Sequence, residues 1–194
     1  MPADRARAAQ AISDFLEALG VSPSEDPELA GTPERVAAAF IDELLEGYRV
    51  DAQALLRAES SLTNDAQGGF VVVRDIAVTT VCPHHLLPAR GQATVVYEPG
   101  ERVAGIGTIA RVVLAYARRL TLQETIGAKV VEALVSELGA KGAACRLTLK
   151  HECMASRGER QMGARVETVA FAGSFDASPS ARDLAVTLLR EPNP

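Results

Sequence analysis

The sequence predicts an α+β fold: an antiparallel sheet with a helix pair on one face, preceded by a helical N-terminal region. Three observations carry this prediction. The first 60 residues repeat apolar positions at helical spacing, two pairs of strand-like runs follow, the first pair β-branched, and two helical stretches lie between those pairs.

Taken in order, Ile12, Phe15, Leu16 and Leu19 fall at i, i+3, i+4 and i+7 before Gly20, which marks an amphipathic helix from Ala8 to Leu19. Thr32 and Pro33 read as N-cap and first position of a second helix, with Val36, Phe40 and Leu44 on one face and Gly47 at its end. A third short piece covers Asp51 to Glu59. Ser60 to Gly69 is polar and glycine-bearing, which suits a linker, so the expected division is a helical region over 1–60 and a catalytic domain over 61–194. Phe70 to Val81 and Gly91 to Tyr97 are β-branched and read as two strands, with Glu98, Pro99 and Gly100 as the next turn. Ile109, Val112, Val113 and Tyr116 mark one helix, and Ile126, Val130, Leu134 and Leu138 mark another. Ala143 to Lys150 and Ala164 to Phe175 give two more strands, and Ser180 to Arg190 a closing helix.

Composition narrows the function. At 194 residues with 47% hydrophobic and 23% charged, the chain is an ordinary globular protein without the ~20-residue apolar run of a membrane span. Its start runs into an amphipathic stretch instead of a signal-peptide core, so a cytoplasmic location is expected. A net charge of −5 argues against a nucleic-acid coat or a polybasic membrane patch. That charge is uneven: residues 1–60 carry net −7 and residues 61–194 net +2, so an anionic ligand belongs with the second part. Three cysteines in a reducing compartment point to metal or catalytic use before a disulfide framework.

The densest chemistry is Cys82-Pro83-His84-His85 at the end of the first strand and His151-Glu152-Cys153 at the end of the third. All three histidines and two of the three cysteines lie in these seven positions. Thiolate and imidazole are the ligands zinc prefers. On an extended backbone the neighbouring imidazoles of His84 and His85 leave opposite sides, so the economical ligand set is Cys82, His85 and Cys153 with a fourth position open, as in catalytic zinc sites. His84 and His151 then remain beside the metal as acid and base. Cys145, between Ala144 and Arg146 in a strand, reads as core.

With these residues in view the sequence resembles the GTP cyclohydrolase I family, whose motif is Cys-x-His-His followed much later by His-x-Cys. Asp26-Pro27-Glu28-Leu29, Gly31 to Ala37, Gly105 to Arg111, Leu122-Gln123-Glu124, Arg157-Gly158 and Gly173-Ser174-Phe175 also match, so the likeness covers most of residues 26–190. The resemblance implies a tunnelling-fold domain and a homo-oligomer, a decamer with active sites between subunits. It implies a Zn2+ cofactor and a guanine nucleotide as the small-molecule partner. The implied chemistry is attack at C8 of GTP, with His84 protonating N7, His151 assisting proton transfer, release of formate, and closure to 7,8-dihydroneopterin triphosphate. Gln123 and Glu124 would read guanine, and Arg35, Arg111 and Arg157 would hold the triphosphate.

The chain departs from the family at three places. Gly107-Thr108 stands where Ser-Lys is usual, Thr125 where an arginine is common, and Pro83 where a glutamate separates the cysteine from the histidines. Losing a charged contact costs about 1.5–3 kcal/mol per hydrogen bond. Three functions therefore stay open: a GTP cyclohydrolase I, a relative using the same zinc chemistry on a guanine compound with fewer phosphates or stopping at a ring-opened pyrimidine, and a non-catalytic zinc-bearing subunit.

Overall fold

The computed structural model describes residues 3–61 and 69–190. The chain divides into two compact units, Met1–Glu46 and Gly47–Pro194. In the first, α1 (Arg5–Ala18) opens on Asp4, whose carboxylate accepts from the Arg7 N–H, and α2 (Thr32–Ala38) packs against it. Gly31 precedes α2 at φ 72°, a left-handed conformation natural to glycine, and no side chain caps the helix. Thr32, expected as the cap, instead accepts from the Arg35 guanidinium at 2.8 Å. Beyond α2, Ala39–Leu44 widens into a π-helical turn, and Arg5 pairs with Asp42 at 2.8 Å. Of the apolar stripe on α1, Phe15 and Leu19 stand exposed.

A 3-10 turn, Glu46–Arg49, carries the chain into the second unit, where α3 (Ala52–Ala58) is capped by the Asp51 carboxylate on the Gln53 and Ala54 N–H groups. Two-residue strands β1 (Ser60–Ser61) and β4 (Val103–Ala104) pair with each other. The rest of the expected linker, 62–68, lies outside the described residues. The main sheet is antiparallel, with order β2-β3-β5-β6: β2 (Val71–Val81), β3 (Pro88–Glu98), β5 (Gly142–His151) and β6 (Val166–Gly173). Helices α4 (Ile106–Ala117) and α5 (Gln123–Ser136) form the expected pair, and short α6 (Glu152–Ala155) and α7 (Ser174–Ala177) precede the closing α8 (Pro179–Leu189). This is the α+β arrangement the sequence predicts, an antiparallel sheet with a helix pair, preceded by a helical region.

Alternation along each strand divides the core in two. Val95, Cys145, Leu147 and Leu149 point to the helix face and pack with Ile109, Val113, Ile126, Val130 and Leu134, all fully buried. Truncating one of the leucines or isoleucines to alanine costs about 2–5 kcal/mol. Tyr97 is buried among them, its hydroxyl accepting from the Ala104 N–H at 3.3 Å. Val96, Ala144 and Phe171 point the other way, under Phe175, Ala185 and Leu189 of α7 and α8. The sheet is thus covered on both faces at one end, where covering on a single face was expected. At the other end the second face is open, and Arg90, Arg146, Lys150 and Arg165 line a cavity of about 490 Å³ there with Glu167.

Candidate active site

Strand register brings the two motifs together. Val81 pairs with Pro88 across the β2–β3 hairpin, and Ala89 pairs with His151 of β5, so Cys82 leaves the sheet beside the place where His151 ends it. Residues 82–87 form a closed loop: the Cys82 N–H donates to the Leu87 carbonyl at 2.9 Å and the Leu86 N–H to the Cys82 carbonyl at 2.9 Å. Leu86 completes the reversal at φ 55°. The histidines sit in this turn and not on the extended backbone assumed from sequence, yet their rings still diverge, 79° apart in plane with centroids 6.2 Å apart. Cys153 enters from α6, one helical step past His151.

One donor atom each from Cys82, His85 and Cys153 lies within 4.8 Å of the others. The Cys82 Sγ is 3.6 Å from His85 Nδ1 and 4.0 Å from His84 Nδ1. Burial pushes the Cys153 thiol up, and the neighbouring Cys82 adds to the rise while Arg157 opposes it. Two thiols crowded together with an imidazole are a poor arrangement for neutral packing and a good one for a cation that turns thiols into thiolates. The donor set therefore fits a zinc ion with three protein ligands.

His151 is half-buried and held by Gln123, with Nε2 2.8 Å from Gln123 Oε1. Gln123, at the start of α5, is buried, and its Nε2 donates to the carbonyls of Leu147 and Val166, each at 3.0 Å, and to Thr168 Oγ1 at 3.1 Å. With the amide nitrogen turned toward these three acceptors, Oε1 must accept from His151 Nε2–H, which leaves Nδ1 as the free acceptor. Burial lowers the His151 pKa, against the opposing pull of the Glu124 carboxylate.

These groups line one cavity of about 250 Å³, in which Cys82, His84, His85, Gln123, Glu124, His151 and Cys153 all take part, with Thr80, Leu122 and Val166 among the other walls. That volume lies below the ~300–1,000 Å³ of sites for whole drug-sized ligands. Of the three arginines expected at the phosphates, two are held by partners in their own units. Arg35, in the first unit, donates to the Ala30 carbonyl and Thr32. Arg111, on α4, is held by Glu59. Arg157 is near enough to lower the Cys153 pKa but is not a wall of the cavity. Thr80 and Val166 carry no sequence signal, and the anchoring role of Gln123 is visible only once its partners are placed.

Two thiols and an imidazole as metal donors, beside two further histidines and a carboxylate at the mouth of a small cavity, define a candidate metallohydrolase site. Comparison with known proteins supplies the particular family. The family model for GTP cyclohydrolase I matches residues 8–190. GTP cyclohydrolase 1 of Leifsonia xyli subsp. xyli is 39% identical over 186 residues, covering 96% of this chain and 95% of that one. GTP cyclohydrolase 1 of Campylobacter lari is 36% identical, with 93% of each chain covered. That of Allorhizobium ampelinum is 40% identical, covering 88% of this chain and 84% of its own. Among solved structures, the archaeosine synthase QueF-Like in the apo form overlaps 54% of this chain and 93% of its own at 22% identity with a TM-score of 0.43, too slight a likeness to add to the fold. This chain belongs to the GTP cyclohydrolase I family, cyclohydrolases that act on GTP.

Proposed function

We propose that this chain opens the imidazole ring of GTP at C8, releases formate and yields 7,8-dihydroneopterin triphosphate, with zinc held by Cys82, His85 and Cys153. The convergence of those three donors with the Gln123-anchored His151 in one cavity carries the reading. When bound there, zinc supplies the Lewis acidity that makes water nucleophilic near neutral pH.

The chain's own side chains do the remaining work. Glu124, exposed at the first turn of α5, accepts from the guanine N–H groups, a charge-assisted contact that adenine cannot reciprocate. His84, exposed at the cavity mouth, donates the proton to N7 as the C8–N bond opens. His151, with Nε2–H fixed on Gln123, presents Nδ1 as the base. Gln123 is in this reading a positioning residue. Arg35, Arg111 and Arg157 would face the triphosphate, Arg111 only where its ion pair with Glu59 gives way, and a homodecamer with sites between subunits would bring neighbouring copies' groups to the open side of the cavity. The enzyme would act in the cytoplasm; among the described residues no helix is long and apolar enough to cross a membrane.

The test is turnover by zinc-loaded protein given GTP, with formate assay and mass spectrometry. Formate together with a fluorescent pterin after oxidation supports the reading. Formate or a formamidopyrimidine without pterin would show that the reaction stops early, and no turnover of any guanine compound with stoichiometric zinc would refute it.

A further inference from the structure

Glu59 follows α3 and reaches the first turn of α4. Its Oε2 accepts from the buried Thr108 hydroxyl at 2.8 Å, its Oε1 accepts from Arg111 Nη1 at 2.9 Å, and Arg111 Nη2 donates to Oε2 as well. Both carboxylate oxygens are therefore taken, and the guanidinium fork of Arg111 is filled in the bidentate geometry it offers to carboxylate or phosphate alike. The backbone holds the carboxylate in place: the Gly105 N–H donates to the Glu59 carbonyl at 3.4 Å, and the next residue, Ser60, pairs with Ala104 just before α4. The Glu59 carboxyl is also held below its usual range, first by the Thr108 hydroxyl and then by Arg111, so it is an anion at neutral pH. Glu59 thus sets an internal anion on Thr108 and Arg111.

We infer that Glu59 is a specificity-determining residue: its carboxylate occupies the seat on Arg111 and Thr108 that a substrate phosphate would take. This chain then gains little from the triphosphate at that seat and distinguishes GTP only weakly from guanine compounds with fewer phosphates. The inference rests on the proposed reading of the substrate as a guanine nucleotide whose phosphates face Arg111. An exposed ion pair alone would be a weak obstacle, since such pairs contribute ~0–1 kcal/mol. Here the pair is joined by a buried hydroxyl donor and a backbone tie, which hold the carboxylate in place without the entropy loss of ordering a free side chain.

The experiment measures inorganic tripolyphosphate binding by titration calorimetry on the zinc-loaded full chain, and the kcat/KM ratio for GTP over guanosine from formate release. Glu59→Gln is expected to bind tripolyphosphate at least tenfold tighter than wild type, to lose that gain when Arg111→Gln is added, and to raise the ratio at least tenfold. Equal affinity in wild type and a folded Glu59→Gln overturns the inference, as does a gain that survives Arg111→Gln. Glu59→Thr serves the same purpose if the glutamine variant fails to fold. Absence of formate from every guanine compound would sink the proposed reaction, while the calorimetry would still decide what occupies the seat.

Discussion

Gln123 makes four polar contacts through one amide, three from its nitrogen and one to His151. Replacing it by alanine leaves the Leu147 and Val166 carbonyls without that donor and frees the His151 ring to turn. Stability should fall by about 1–3 kcal/mol. Turnover should fall through kcat with KM for GTP little moved, which steady-state kinetics on the folded fraction will read. His84 and Cys153 separate acid-base chemistry from metal binding. His84→Ala should keep stoichiometric zinc and lose formate release, whereas Cys153→Ser should lose zinc, both measurable by metal analysis of purified protein. Loss of zinc from His84→Ala would reassign the ligands. Cys145 gives a pH prediction. Burial pushes its thiol up to about 12 from an ordinary 9.0, so the folded state resists ionisation that the unfolded chain undergoes. The stability from keeping this thiol neutral is complete below pH 9 and is lost as pH rises toward 12. By pH 10.5 that loss is about 2 kcal/mol. Cys145→Ala, weaker than wild type at pH 8 because of its cavity, should narrow the gap at pH 10.5 in urea unfolding.

At the scale of the element, the site depends on the pairing of β3 with β5. Gly91 lies opposite Leu149, and a Cβ there would run into the Thr148 carbonyl. Gly91→Ala should force the strands apart where they hold Ala89 against His151, lowering both melting temperature and zinc affinity, as calorimetry and a chelator competition will show. Much of this architecture was legible in advance. The helix periods of Ile109 to Tyr116 and Ile126 to Leu138 locate α4 and α5 because each buries a stripe against the sheet, and the β-branched run from Phe70 to Val81 locates β2 for the same reason. Other features were hidden because they depend on partners distant in sequence. Nothing in the order Ala89-Arg90-Gly91 says that β3 starts at Pro88, since its first residues are defined by hydrogen bonds to β2 and β5. The open face with Arg90, Lys150 and Arg165 looks in sequence like three scattered surface charges. Glu59 looked like the last residue of a helix. Its meaning came from Thr108 and Arg111, about fifty positions away.

For the whole molecule, the expected assembly is testable without substrate. Light scattering after size exclusion should give the mass of ten chains, and a monomer at micromolar concentration would remove neighbouring copies from the proposed site. Among the described residues the main sheet ends in β2 on one side, met there by a bridge from Val81 to Leu120, and in β6 on the other, so its two edges differ in residue content. Joining β2 of one copy to β6 of the next is a head-to-tail contact, and such contacts close only when the turn per copy divides a full circle; otherwise they grow without end. If copies join in that way, the twist of these four strands separates a finite ring from a filament, and a substitution that flattens the sheet, far from any histidine, is expected to show itself as fibres in the electron microscope.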